Sequence, residues 1–517
     1  MASERQRATN NLRIKGFNQH VGALVASLGG FGLGVSLGWC SSVTEGTRIK
    51  FIATIMEIGI IGNVLSVGAC LGVLFAVWSF KFHHWINGII KILLYVIGWS
   101  MISIGNENIL LIITGRLICG IPGGMSCLLT PLFISEITDQ KSRNRLLTLF
   151  QLLINCGIMY AFLMAHCLDG GNIIWRYSSS CGASCLILVL LLFIPATPFH
   201  QLAVEKDETR AKNSLRWYRN NRDENDHEME ELRQLATLRK TTKLQMTIGL
   251  MKNRQILHSF LMCFGVMMIQ QFSGFSTFIT YALTIFETQG SGLLNGSELT
   301  LVVALVQILS SIMAYMLIDI LGRRILLTIS SAFMGVFLAL LGWFFGKRLE
   351  DPEYDDWYWW MPPAWISLYF LSLNLGVAPI SWALIADSFP QQIKLIGAAF
   401  AAFSNWILSV LAMIVFSSLQ TDDNIRKAVW LFAIVCWFGA IFCAILIKDN
   451  GKKSIHEIEK EFRIDNEINE MNENVTNQLP LPIIGIHENV LAKLSSSGGD
   501  FVFCVYLAFH VTCKRLK

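Results

Sequence analysis

About twelve apolar stretches follow one another along the chain, each near the ~20 residues that a helix needs to cross a bilayer, and one charged insert divides them six and six. With 53% apolar and 15% charged residues among 517, the chain has too little polar surface to coat a soluble globule, so lipid must replace water around most of it. The spans are expected at 17–43, 52–78, 86–104, 109–134, 146–165, 175–195, 256–285, 300–320, 325–345, 361–386, 396–419 and 428–447. The expected architecture is an all-α polytopic membrane protein of twelve transmembrane helices. Two six-helix bundles, 17–195 and 256–447, are joined by an amphipathic helical insert, 196–255, and flanked by a terminal segment, 1–16, and a tail, 448–517.

Lys and Arg set the orientation. Lys81, then Lys141, Arg143 and Arg145, then the insert, Arg323 and Arg324, Lys394, and Lys448, Lys452 and Lys453 all fall on one side, so both termini are expected in the cytoplasm. The first sixteen residues are polar and basic, with no apolar core ending in a cleavage site, so the first span is expected to stay as an anchor. Opposite loops carry Glu350, Asp351, Glu353, Asp355 and Asp356 beside Tyr358, Trp359 and Trp360, which read as an outer aromatic belt. Asn295-Gly-Ser297 lies in an outer loop and is a candidate glycan acceptor, whereas Asn474-Val-Thr476 falls on the cytoplasmic side and should stay bare. A net charge of +4 does not point to nucleic acid. The thirteen cysteines lie mostly inside spans with no CxxC pair and read as small packing residues. In the insert, Leu215, Trp217 and Tyr218, then Leu232, Leu235 and Leu238, recur at helical spacing.

The informative polar residues are neutral. A glutamine or asparagine presents an acceptor and a donor on one uncharged group, which suits vicinal hydroxyls. Gln270 and Gln271 sit mid-span, where an unpaired amide costs a few kcal/mol, so they must face protein or a water-filled path. Interhelical bonding is the commoner explanation of a single such residue, and neutral polar groups inside a membrane otherwise suit a neutral polyol. No nucleophile triad, metal-ligand cluster or phosphate loop is present, so neither catalysis nor a cofactor or metal is implied.

Several ordered motifs carry a resemblance. Gly115-Arg116 opens the fourth span, which ends in Pro131-Leu-Phe-Ile-Ser135-Glu136, followed by Arg143 and Arg145. Trp175-Arg176, Pro195-Ala-Thr-Pro198, Ser214-Leu-Arg-Trp217-Tyr-Arg219, Gln270-Gln271-Phe-Ser273-Gly274, Asp319-Ile-Leu-Gly322-Arg323-Arg324, Pro379-Ile-Ser-Trp382 with Asp387 and Pro390, and Asn405-Trp406 complete the set. From residue 17 to about 460 the chain resembles the sugar porter family of the major facilitator superfamily, most closely its insect facilitated trehalose transporters. The resemblance implies the major facilitator fold and sugar contacts at Gln151, Gln270, Gln271, Ser276, Gln307, Asn374, Trp382 and Asn405. It also implies a cytoplasmic charge latch of Arg116, Glu136, Arg143, Arg145, Asp319, Arg323, Arg324 and Asp387, pairing across the halves when they close there.

The chain departs from that pattern in places. Phe275-Ser276 stands where the family has a sugar-bonding Asn, Asp387 where it has Glu, and Phe133 where it has Tyr. The loop after the second span, usually an acidic residue with Gly-Arg-Arg, reads Trp78-Ser-Phe-Lys81-Phe-His83-His84-Trp85, so the first half of the latch is degraded; loop histidines of this kind are more often inert. Proton-coupled members carry an Asp in the first span, where this chain has Ser36; passive transport is therefore expected, and Arg116 is left to backbone carbonyls or Glu57. Gly30, Gly34 and Gly38 at four-residue spacing permit close helix approach. The reading is facilitated sugar transport by alternating access in a plasma membrane, the alternatives being a sugar-binding sensor with little flux or a proton-coupled symporter.

Overall fold

The computed structural model describes residues 17–43, 55–105, 108–167, 173–219, 225–241, 253–281, 295–350, 358, 360–419 and 422–447. Residues 1–16, the tail with Asn474, and the side chains of Glu57, Trp175 and Arg176 lie outside what it describes, as do Asp351, Glu353, Asp355, Asp356 and Trp359. The described residues form helices and no strand. The first half holds α1 (Phe17–Val43), α2 (Ile55–Ser79), α3 (His84–Ile104), α4 (Ile109–Ile137), α5 (Gln140–Cys167) and α6 (Ile173–Val189). The insert supplies α7 (Glu208–Arg219) and α8 (Asn225–Thr241). The second half holds α9 (Arg254–Phe272), α10 (Phe275–Thr280), α11 (Gly296–Leu321), α12 (Arg323–Glu350), α13 (Met361–Leu375), α14 (Val377–Asp387), α15 (Lys394–Ser418) and α16 (Asp422–Leu446).

Counting α9–α10 and α13–α14 as one span each, 11 described helices are long and apolar enough to cross a membrane. The 17-residue α6, continued by a tight turn over Leu190–Leu192, occupies the remaining position of a twelve-helix fold. Large apolar side chains such as Ile104, Ile320, Phe438 and Ile445 face outward, where a bilayer rather than water makes their exposure stable.

The first half is joined along glycine seams. A Cβ added at Gly34 would fall well inside 3 Å of the Ile154 carbonyl oxygen, and one at Gly157 would meet Phe31, so α1 and α5 touch backbone to backbone. Gly68 and Gly72 meet the carbonyls of Leu117 and Ile121, and Gly120 and Gly124 meet those of Leu65 and Ala69, locking α2 to α4 in the same way. In the second half several glycines instead receive rings: Gly265 faces Phe442, Gly335 faces Trp437, and Gly397 faces Phe389.

The expected seventh and tenth spans are each broken mid-membrane. Gly274 holds φ 89°, a left-handed value that a side chain would strain, and this ends α9 and restarts the chain as α10. Between α13 and α14, Pro379 has no N–H to offer Leu375 and its ring crowds that carbonyl. The break falls at Gly376, and the freed Val377 N–H is recovered by Ser330 Oγ of α12 at 3.1 Å.

The insert docks on the first half through the Ser214–Arg219 motif. Tyr218 donates to the Pro195 carbonyl at 2.7 Å, Ser214 to that of Ala196 at 2.5 Å, and Asn18 of α1 to that of Trp217 at 2.7 Å. Arg219 pairs with Glu228 at 2.7 Å and Asp139 at 3.1 Å. Burial opposes the charge of Arg219, and these carboxylates outweigh that, so its guanidinium titrates above the ordinary value.

Gly34→Val forces α1 and α5 apart and is expected to abolish recovery of monodisperse protein by size exclusion. Gly182→Ala, where an added Cβ meets nothing within 4 Å, should leave recovery unchanged.

Candidate functional site

Both helix breaks fall beside the amides singled out in the sequence, and the amides form two networks between the halves. In the first, Gln151 of α5 is central: its Oε1 accepts from Trp382 Nε1 at 3.0 Å, and its Nε2 donates to Asn155 Oδ1 at 3.1 Å. Asn155 in turn donates to Asn374 Oδ1 at 2.8 Å and to Ser311 Oγ at 2.7 Å. First-half α5 is thereby bonded to α11, α13 and α14 of the second half. The Phe150 ring meets Trp382 edge to face at 5.5 Å, so the indole is held by packing as well as by Gln151.

The second network begins at the α9–α10 break. Asn405 of α15 donates to Gln270 Oε1 at 2.9 Å and accepts from Gln271 Nε2 at 3.0 Å. Gln271 Oε1 accepts from Ser276 at 2.8 Å, Ser409 donates to Ser276 at 2.9 Å, and Ser409 meets Ser66 of α2 at 3.2 Å. Ser276, shorter than the family's Asn, spends its hydrogen bonds on this relay.

The networks are incompletely satisfied. Among the described residues Gln307 of α11, 1% exposed, finds no partner for its Nε2 or its Oε1, and Gln270 Nε2 and Thr277 Oγ1 find none either. Leaving such groups dry costs roughly 1–3 kcal/mol each. They are donors and acceptors that the described residues leave unused.

At the end carrying the insert, Arg145 of α5 pairs with Asp319 of α11 at 2.5 Å. Arg323 donates to Asn144 and to Asp387, each at 2.6 Å, and Lys394 donates to Ser135 at 2.9 Å. At the other end His166 meets Ser297 at 3.1 Å. The halves are thus bridged at both ends and in the middle.

Three members of the expected latch have other partners. Glu136 accepts from Thr197, at the start of the insert, at 2.5 Å and not from the second half. Arg324 donates to the Ala444 carbonyl of α16, inside the second half. Arg116 lies in the bundle interior, bonded to the carbonyls of Ser36 and of Ile61 (3.4 Å) and stacked over Trp39 at 5.1 Å. Arg143 is buried within electrostatic reach of Asp387. The loop histidines have structural contacts: His83 Nδ1 lies 2.6 Å from Glu205 and His84 bonds the Ile194 carbonyl at 2.8 Å, tying the α2–α3 loop to the start of the insert. Asn295 starts α11, its backbone N–H donating to Glu298 at 2.9 Å.

Asn155 and Ser409 were not picked out in the sequence, although each lies four residues from a chosen amide, Gln151 and Asn405, and so on the same helix face.

Two helical bundles meeting around half-satisfied amides at broken helices define a membrane transporter of the alternating-access class. The family model of sugar (and other) transporters matches residues 15–462, and the chain belongs to that family. Among curated relatives, the facilitated trehalose transporter Tret1 of Bombyx mori is 28% identical over 449 residues, covering 86% of each chain. Tret1 of Apis mellifera ligustica is 26% identical over 452 residues, 86% of this chain and 88% of that one. Among solved structures, the proton:xylose symporter XylE bound to 6-bromo-6-deoxy-D-glucose superposes with a TM-score of 0.73 at 19% identity, covering 86% of this chain and 98% of that one. An inward-open structure of XylE from E. coli gives 0.65 at 18% identity, covering 85% and 98%.

The Arg145–Asp319 pair has side chains 41% and 30% exposed, so it is worth at most about 1 kcal/mol. Arg145→Ala should leave folding intact and shift the spin-label distance between the ends of α5 and α11 by up to about fivefold in open population. Asp387→Asn strands the buried Arg323 and should cost about 3–5 kcal/mol, read as lost folded yield.

Proposed function

We propose that this protein carries a sugar, trehalose or a glucose-type hexose, across the plasma membrane by facilitated diffusion. The observation that carries the reading is the unpartnered Gln307 amide with Gln270 Nε2, buried between halves that the other amides already bridge. Sugar hydroxyls supply both donors and acceptors and would complete these bonds, while the Trp382 face suits the C–H side of a pyranose. The names borne by the similar transporters favour trehalose. The central networks consist of neutral amides, hydroxyls and one indole, and Ser36 stands where proton-coupled relatives carry an acid, which favours passive flow.

In this reading the insert side and both termini face the cytoplasm. Arg145–Asp319, Arg323–Asn144 and Lys394–Ser135 close the inner end. Ser66–Ser409 and His166–Ser297 close the outer one, and Asn295 lies outside as the glycan acceptor. Asp387 anchors Arg323 and faces Arg143 across the halves, while Arg116 and Arg324 support their own bundles.

Uptake of labelled trehalose and glucose into proteoliposomes, with and without a proton gradient, tests the reading. Saturable uptake that equilibrates regardless of the gradient is expected; accumulation driven by the gradient would overturn the passive mechanism, and binding without flux would make the protein a sensor. Gln307→Ala should lower transport kcat/KM about tenfold or more, since one lost amide–hydroxyl contact is worth about 1–3 kcal/mol. Equal amounts of reconstituted protein with unchanged kcat/KM would remove Gln307 from the site.

A further inference from the structure

A second pocket, mostly apolar with a few polar side chains, lies between the first half and the start of the insert. It is lined by α3, the end of α4 and the 194–200 segment, with about 700 Å³ of empty space counting its open mouth. Lys91 of α3 is 5% exposed and makes no hydrogen bond or ion pair among the described residues, although it sits inside a membrane-spanning helix. An unpaired cation at such a place calls for a partner. Asn87, one turn away and 6% exposed, gives its Nδ2 to the Ser79 carbonyl and leaves Oδ1 unsatisfied. His84 Nε2 must donate to the Ile194 carbonyl, so in the neutral ring Nδ1 is a lone-pair acceptor, and it too is buried without a partner. On the same lining, Glu136 has one hydrogen bond from Thr197 and no cation among the described residues. His200, also on the wall, turns its ring to the Phe80 carbonyl at 2.8 Å and to Glu205 at 3.4 Å.

One pocket thus holds an uncompensated cation, an uncompensated carboxylate and two spare acceptors. A lone anion would neutralise Lys91 but be repelled by Glu136, and a lone cation would do the reverse. The charges also differ in depth. Glu136 is next to the last residue of α4 at the insert side, whereas Lys91 lies seven residues into α3, about 10 Å deeper along the helix. We infer that the pocket binds the headgroup of a phospholipid bearing a primary amine, of the ethanolamine type. Its ammonium donates to Glu136, His84 Nδ1 and Asn87 Oδ1, and its phosphate meets Lys91. In the insert-side leaflet such a lipid places its amine outermost and its phosphate deeper, the order in which the protein places its charges. Its acyl chains then run on past Lys91 along the exposed Leu93, Val96 and Ile97 of α3. This inference is independent of which solute is carried.

Delipidated protein is mixed with phosphatidylethanolamine, phosphatidylcholine or phosphatidylglycerol, and separately with O-phosphoethanolamine or inorganic phosphate. Retained ligand is counted by native mass spectrometry beside thermal unfolding. Phosphatidylethanolamine is expected to be retained at least fivefold over the other two lipids and to raise the unfolding midpoint; Lys91→Met and Glu136→Gln each reduce it to the phosphatidylcholine level. Without lipid, Lys91→Met removes an unpaired buried cation and should unfold at or above the wild-type temperature, so loss of ligand is not confused with loss of fold. Lys91→Gln serves as a second variant. Lys91-dependent binding of O-phosphoethanolamine at matching strength supports the same chemistry from a soluble source. Equal retention of the three lipids, retention of inorganic phosphate in preference to the zwitterion, or binding untouched by the Lys91 variants overturns it.

Discussion

A bilayer interior offers no water to a backbone N–H or C=O, and that absence governs the rest of this structure. Continuous helices meet the requirement by themselves. The two interruptions, at Gly274 and Gly376, stand where other groups take over: Ser330 captures the Val377 N–H, and the amides of α9 and α15 satisfy one another beside the first break. Irregular backbone at mid-membrane depth is found where it is wrapped in protein or lines a cavity. The breaks therefore mark the polar centre as clearly as the amides do.

Burying many amides together solves one problem and creates another. Each bond that Gln151, Asn155 and Asn374 make to one another removes a desolvation penalty and also glues the halves. A carrier cannot be glued permanently, and the unpartnered atoms of Gln307 and Gln270 keep the network short of full satisfaction. Neutral groups suit this balance, because separating them costs about 1 kcal/mol per bond, where separating buried charges costs several. Ion pairs of the partly exposed kind, such as Arg145–Asp319, stand at the bundle end, where water can receive them.

Much of this was legible in the sequence. Span number and the insert follow from hydropathy alone, and the amides singled out do gather in space, Gln151 with Asn374 and Trp382 in one network and Gln270 and Gln271 with Asn405 in another. The breaks were not legible, because an apolar window averages over about twenty residues and one left-handed glycine leaves it unchanged. Nor were the partners of Glu136, His83 and His84, since a degraded motif shows which contacts are lost and not which replace them. Asn155 and Ser409 were missed because a single polar residue in a span has no sequence signal apart from its register with a neighbour.

The glycine seams bear on how such a molecule moves. In the first half α1 with α5, and α2 with α4, interlock backbone against backbone, a contact with no side chain between that can change rotamer. In the second half glycines such as Gly335 and Gly397 receive rings of Trp437 and Phe389, and its helices are interrupted twice. The two bundles are therefore built differently: the seams of the first offer no side chain to rearrange, and at the two breaks of the second the helical hydrogen-bond ladder is already open.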